Sequence, residues 1–123
     1  MMYHGRLPAE FRDRTKKFAS GSVRLFVVLP KAREEVRILG KQLLRSGTSV
    51  AAHVREASRA RSAAEFVSKL GGALQEADET ALWLELLRED CGIDAKLTQP
   101  LEAEASELMA ILTTMIKNTQ GEG

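Results

Sequence analysis

The sequence predicts an all-α protein, folded as an antiparallel up-down-up-down four-helix bundle. Aromatic residues make up only 5% of the chain and it has 3 prolines, while Ala, Leu, Glu, Lys and Arg are plentiful; this balance is typical of helical proteins. Apolar residues recur at steps of three and four along four segments, which is the spacing of amphipathic helices. The connections between these segments are short, which favours antiparallel neighbours.

The 123 residues are enough for one domain. We predict a flexible N-terminal arm over residues 1–9, where Gly5 and Pro8 discourage helix formation. The bundle is predicted over residues 10–119, and a frayed tail over residues 120–123.

The first two helices are predicted from the spacing of their apolar residues. The first runs from about Glu10 to Leu29; its segment VRLFVVL resembles a buried strand, but no second strand candidate exists to pair with it. The second begins near Pro30, which suits an early helical position, and continues to about Arg61. The apolar spacing slips at Gly47, so we expect a kink or local irregularity there.

The third helix, over residues 62–90, has the strongest apolar periodicity, and the fourth follows it after a loop. Ser62 and Glu65 have the spacing of a capping box, which marks the start of the third helix. The loop is predicted over residues 94–99. Pro100 suits the first position of the fourth helix, because its missing amide proton matters little there.

The charge of the chain is divided between its two halves. Residues 1–61 carry 14 Lys and Arg against 5 Asp and Glu, a net charge of +9, and residues 62–123 carry 4 against 12, a net charge of −8. Such asymmetry indicates nucleic-acid binding or charged assembly surfaces. The alternative is that basic helices lie against acidic ones inside the bundle. Both interpretations remain open at this point.

A basic ridge on the second helix is the main candidate site. The basic ridge consists of four residues at intervals of four, namely Arg33, Arg37, Lys41 and Arg45. They share one face of the helix, and no acidic residue falls in that register. The ridge has the charge to contact phosphates; alternatively, acidic residues of a neighbouring helix or subunit neutralise it. With two arginines further along the helix, the candidate nucleic-acid contacts are Arg33, Arg37, Lys41, Arg45, Arg55 and Arg59.

A candidate oligomer interface lies on the third helix. Leu82, Trp83 and Leu86 fall outside the main apolar seam and form a second patch. An exposed patch containing Trp usually marks a contact, although other helices of the same chain could instead cover it. Glu76 and Glu79 on the same helix are candidates to pair with arginines across a helix or subunit interface.

Several function classes are disfavoured. No nucleophile and base are convincingly paired and no glycine-rich phosphate loop occurs, so we expect no enzyme and no cofactor. His53 and Glu56 reverse the Glu-x-x-His order of di-iron bundles, so no metal is expected. A single Cys91, the lack of an apolar run of about 20 residues and an N-terminus without a signal-peptide core predict a cytoplasmic, non-membrane protein.

Three stretches resemble a known family. ALQEADETALWLELL, GKQLLRSGTSVAAHVREASRARS and RTKKFASGSVRLFVVLPKARE are similar to the third, second and first helices of the bacterial four helix bundle protein family. That family includes the proteins encoded in intervening sequences of 23S rRNA genes. The likeness spans about Arg12 to Lys117. The positions that match its motifs are Gln42, Arg45, Ser46, Ser49, Arg55, Glu56, Glu76, Glu79, Thr80 and Trp83.

The resemblance implies a four-helix bundle that assembles as a homopentamer. Some relatives, the accessory proteins of diversity-generating retroelements, are basic pentamers that associate with a reverse transcriptase and nucleic acid; most members have no established activity. The chain departs from the family at His53, where Asn is common, and at Gly21, where a helix former is usual. The second departure predicts a looser first helix.

Together these observations favour a non-enzymatic oligomeric bundle that binds RNA or DNA through a basic surface on helices 1 and 2. The alternative is an oligomeric protein-interaction scaffold with no direct nucleic-acid contact. A small-molecule or metal-binding bundle is the least favoured hypothesis. Exposure of the basic ridge separates the first two hypotheses.

Overall fold

The computed structural model describes residues 7–121, which form four α-helices. No strand occurs within this range. Each helix packs along the next in the chain, and α1 and α4 close the ring through a smaller contact. The predicted all-α four-helix bundle is confirmed. The helices are α1 (Ala9–Val28), α2 (Glu34–Ala57), α3 (Ala63–Glu89) and α4 (Ala95–Gly121).

The apolar seams predicted from the sequence form the core. Along α3 the seam from Phe66 to Leu87 is buried, whereas its first predicted position, Ala63, is exposed. The buried side chains form two clusters. One surrounds Phe18 and Phe66, and the other lies towards the opposite end of the bundle. Complete burial of a Leu or Phe side chain stabilises the fold by about 1.5–3 kcal/mol, so these clusters dominate the packing.

Helix α2 is shorter at both ends than the sequence predicts. The Pro30 carbonyl accepts a hydrogen bond from the Arg33 amide at 3.2 Å, so Pro30 lies in a turn before the helix. At the other end, the amides of Arg59 and Ala60 donate to carbonyls three residues earlier, a tighter turn that ends the helix. The hydrogen-bonded helix continues through Gly47.

Helix α3 has the predicted start. The Ser62 hydroxyl accepts a hydrogen bond from the Glu65 amide at 3.1 Å, as a capping residue does. The chain leaves α3 through Gly92. Its φ of 71° lies in the left-handed region, which glycine adopts without steric cost.

Helix α4 begins earlier than predicted. The Asp94 carboxylate accepts a hydrogen bond from the Lys96 amide at 3.0 Å and so caps a helix that starts at Ala95. The predicted loop over residues 94–99 is therefore wrong, and Pro100 lies inside the helix. The capping by Asp94 offsets part of the cost of the amide proton that Pro100 lacks.

The ends of the chain extend beyond the described residues. Residues 1–6 of the predicted arm and residues 122–123 of the predicted tail lie outside that range. Leu7 packs against the first core cluster, and α4 is helical as far as Gly121.

Candidate functional site

The predicted basic ridge is partly occupied within the chain. Arg45 lies at its C-terminal end, with Nη1 3.4 Å from Glu76 Oε2 and Nη2 3.1 Å from Glu79 Oε1. Both carboxylates belong to α3 of the same chain, so the structure realises the internal pairing that the charge division left open. Arg45 is therefore poorly placed to hold a phosphate.

The opposite end of the ridge is also engaged. Arg33 donates from Nη1 to the Cys91 carbonyl at 2.8 Å and from Nε to Glu35 Oε1 at 3.0 Å. The pKa of Glu35 is lowered, mainly because its carboxylate accepts its own backbone N–H, with Arg33 contributing. Arg37 lies 3.5 Å from Glu34 Oε1, a weak contact on the exposed surface. Of the four ridge residues, Lys41 alone has no carboxylate within 4.0 Å in residues 7–121.

More unpaired positive charge lies elsewhere on the first two helices. Seven basic side chains of α1, α2 and the following turn are exposed and have no carboxylate within 4.0 Å among the described residues. The predicted contacts Arg55 and Arg59 belong to this set. Its members are Arg12, Lys16, Lys17, Arg24, Lys41, Arg55 and Arg59.

Four of these cations lie at the same end of the bundle. A Cβ at Gly47 would meet Ser22, which places these two residues level on antiparallel helices. Counting back along α1 and forward along α2 by equal steps sets Arg12 level with residue 57 and Lys16 level with residue 53. Arg12 therefore lies within about one helical turn of the level of Arg55 and Arg59, and Lys16 within about one turn of the level of Arg55. We call these four residues the basic end: Arg12, Lys16, Arg55 and Arg59.

The residues of the predicted oligomer interface differ in exposure. Leu82 is 46% exposed on the outer side of α3. Leu86 is half-buried, and Trp83 packs partly into the second core cluster, with its Nε1 buried and unpaired. The side chain of Glu76 is 16% exposed, whereas Glu79 is more open. Other helices of the same chain therefore cover much of the predicted patch.

A buried polar contact joins α2 to α3 beside these residues. The Thr80 hydroxyl lies 2.7 Å from the Ser46 hydroxyl and donates to the Glu76 carbonyl at 2.7 Å. Gly47 provides the space next to Ser46 for the close approach of α1. Ser46, Glu76 and Thr80, which match the family motifs, therefore take part in joining α2 to α3.

His53 also occupies a helix–helix contact. A Cβ at Gly72 would lie 3.1 Å from its imidazole, so this glycine makes room for the ring. Its Nδ1 is 3.4 Å from Glu56 Oε1, which lies 3.6 Å from Lys69 Nζ. In residues 7–121 no three His, Cys, Asp or Glu side chains are grouped so that they could hold a metal ion.

Two ion pairs involving α4 were not predicted from the sequence. Arg88 donates from Nε and Nη2 to the two carboxylate oxygens of Glu102, both at 2.9 Å. The hydrogen bond from Arg88 lowers the pKa of Glu102. Arg14 makes a similar pair with Glu104, at 2.7 and 2.9 Å. Glu102 and Glu104 lay inside the predicted fourth helix, but each pair joins two different helices, and the spacing of residues within one helix does not reveal such contacts.

The four-helix fold and these ion pairs place the chain in the class of small all-α bundle proteins whose helices are joined by charged contacts. The family model for the 23S rRNA-intervening sequence protein matches residues 10–114. The chain belongs to this family, as the resemblance of its three helices predicts. No helix within residues 7–121 is long and apolar enough to cross a membrane.

A solved structure supports the assignment. The chain is similar to a protein of unknown function from the S23 ribosomal protein family of Bacteroides thetaiotaomicron, with 37% sequence identity and a TM-score of 0.80. The match covers 87% of this chain and 98% of that one. A comparison with curated proteins finds no match.

Proposed function

We propose that this protein is a non-enzymatic, self-associating four-helix bundle that binds RNA or DNA through its basic end. The supporting observation is that Arg12, Lys16, Arg55 and Arg59 are exposed, lie at the same end of α1 and α2 and have no carboxylate within 4.0 Å in residues 7–121. Unpaired cations grouped on one surface can neutralise successive phosphates and release their counterions. No enzymatic step and no cofactor are part of the proposal.

The basic end replaces most of the predicted ridge in this proposal. Arg33 and Arg45 already face a carbonyl or carboxylates of the same chain. A phosphate would have to compete with these partners, and part of its binding energy would be offset by their loss. Lys41 remains available as a peripheral contact.

Self-association is the second part of the proposal. The resemblance to pentameric relatives implies a homopentamer, and exposed Leu82 is consistent with a covered surface in an assembly. In a ring of identical subunits the basic end is repeated around the assembly, so several weak phosphate contacts act together. This arrangement would suit a long or folded nucleic acid.

Binding of a fluorescent structured RNA and a matched DNA duplex across a salt series tests the nucleic-acid part. The variant Arg55→Ala/Arg59→Ala removes two cations of the basic end. If each arginine contacts one phosphate of the duplex, the slope of log K against log salt becomes shallower by about two units. Affinity falls at every salt concentration.

Two controls separate this site from general charge. Arg37→Ala/Lys96→Ala removes two cations near the opposite end of the bundle, so the same net charge is lost away from the basic end. Arg45→Ala removes a guanidinium that faces Glu76 and Glu79. Both controls should leave the salt slope nearly unchanged. Equal losses in Arg55→Ala/Arg59→Ala and in Arg37→Ala/Lys96→Ala would refute a local site.

The oligomeric protein-interaction scaffold is the second candidate. Its supporting observation is that Arg45 forms ion pairs with Glu76 and Glu79 of α3, which neutralise part of the positive charge of α2. If neither nucleic acid binds near physiological salt while the protein is oligomeric, the scaffold becomes the better interpretation. A search for a protein partner would then follow.

A further inference from the structure

We infer that α1 of one copy docks into a groove between α3 and α4 of a second copy. The docking element is the valine ridge, defined as Val23, Val27 and Val28 with Arg24 between them. The inference rests on the proposed self-association and assigns its two contacting surfaces. Both surfaces lie outside the oligomer interface that the sequence predicts around Leu82, Trp83 and Leu86.

The receiving surface is an open groove along the middle of α3 and α4. Its floor is mostly apolar or small, and one carboxylate borders it. The residues that line it are Gly71, Leu74, Gln75, Asp78, Met109, Ala110 and Thr113. Asp78 is exposed and has no cation within 4.0 Å in the described part of the chain.

Gly71 lies in a helix interior, and packing within residues 7–121 does not explain it. A Cβ at Gly21, Gly40, Gly47 or Gly72 would approach a side chain of a neighbouring helix, so packing within the chain accounts for each. A Cβ at Gly71 would meet nothing within 4 Å. Glycine in a helix interior lowers helix propensity. Close approach of another helix to the groove would account for a glycine at this position.

The valine ridge is the largest group of exposed apolar side chains on one helix. Val23, Val27 and Val28 are 39%, 66% and 60% exposed. Val23 and Val27 form one i,i+4 row and Arg24 and Val28 form the next, so the four side chains make one patch on the outer surface of α1. Helix α1 contacts α4 less than any other pair of adjacent helices in the ring, and its outer side is left without a partner.

The ridge and the groove are complementary in polarity and charge. The ridge is apolar with one unpaired cation, Arg24, and the groove is apolar with one unpaired anion, Asp78. A helix that lies along the groove between two helices can pack its ridge of side chains into the surface grooves of each. Because the two surfaces differ, the contact is heterologous, and repeating it gives a closed ring or an open filament.

A charge-swap experiment tests the contact on the full chain. The molar mass of wild type, Arg24→Asp, Asp78→Arg and the double variant is measured by light scattering over a dilution series. Each single variant opposes like charges, so its dissociation midpoint should rise about tenfold or more. The double variant restores an opposite pair and should recover most of the wild-type midpoint.

Matched variants control for folding and net charge. Asp13→Arg and Lys41→Asp make the same charge changes on exposed residues outside both surfaces, and their midpoints should stay within about twofold of wild type, as expected for independent surface sites. Circular dichroism verifies that every variant is helical. A third probe, Gly71→Leu, places a bulky side chain in the groove from a position where an added Cβ meets nothing within 4 Å, and it should dissociate the assembly.

The outcomes separate this inference from the proposed function. A monomeric wild type overturns the proposed self-association and this contact together. An oligomer whose midpoint is insensitive to both single reversals overturns the contact only. Loss of assembly in both singles without recovery in the double overturns the direct pairing of Arg24 with Asp78. Recovery in the double establishes it.

Discussion

At the scale of single residues, the helix-interior glycines show how closely these helices approach. Gly47 faces Ser22, and a Cβ there would lie 2.7 Å from the Ser22 Cβ. Gly21 faces Leu101 on α4, with 2.8 Å between such a Cβ and Cδ2. The glycine that departs from the family therefore has a packing role at the α1–α4 contact. Only the flexible end of a leucine opposes it.

We predict that Gly47→Ala and Gly71→Ala change stability in opposite directions. Gly47→Ala forces α1 and α2 apart and should lower the free energy of unfolding by about 1–3 kcal/mol. Gly71→Ala gains helix propensity in open space and should raise it by up to about 1 kcal/mol. Urea unfolding at a concentration where the protein is dissociated measures both.

The comparison has an internal control. Both substitutions add the same methyl group to a helix interior, so propensity contributes similarly to each. A rise in stability for Gly47→Ala would show that α1 can move away from α2 at little cost. A fall for Gly71→Ala would contradict the open surroundings of that position.

Side-chain pairing at this scale was only partly predictable. The sequence placed Glu76 and Glu79 as partners for arginines, and both contact Arg45. It did not reveal that Arg33 would reach the Cys91 carbonyl at 2.8 Å. That contact joins residues 58 apart in the chain, so it depends on where the connection between α3 and α4 lies. Helical spacing carries no information about such loop contacts.

At the scale of helices, the sequence predicted the elements better than their ends. The seams of α1 and α3 follow the spacing of their apolar residues because burial rewards one continuous face. The start of α4 was predicted at Pro100, since proline favours a first turn. Asp94 caps the helix six residues earlier, and the bonds gained over the added turns outweigh the one that proline loses.

We predict that both capping residues stabilise their helices. Ser62→Ala and Asp94→Ala each leave an amide of the first turn without its side-chain acceptor, and each should cost about 1 kcal/mol. Ser106→Ala, on the exposed side of α4, serves as the control, because it removes a hydroxyl that makes no cap. Urea unfolding of the three variants checks the prediction. No loss for Asp94→Ala would place the effective start of α4 nearer Pro100.

At the scale of the whole molecule, the bundle is unequally closed. Helices α2 and α3 each have two extensively packed neighbours, whereas α1 packs extensively on α2 only and meets α4 over a small contact. The small contact includes Gly21 and Leu101, with the pair Arg14–Glu104 at its far end. The basic first half and the acidic second half of the chain therefore make few contacts with each other between α1 and α4. Helix α1 is therefore the least extensively packed of the four helices.

This unequal closure predicts that α1 opens most easily, and that assembly suppresses the opening. In native-state hydrogen exchange on a dissociated sample, amides of α1 should exchange through openings of lower free energy than those of α3, because fewer buried contacts are lost. At concentrations where the protein is assembled, protection should rise most over residues 20–28 if the valine ridge is covered, since binding to the folded state stabilises it by mass action. Asp78→Arg should abolish that rise, whereas Asp13→Arg should retain it.

Equal protection of α1 and α3 in the dissociated sample would show that the α1–α4 contact is stronger than its small extent indicates. A rise that Asp78→Arg does not affect would place the covering surface outside the α3–α4 groove.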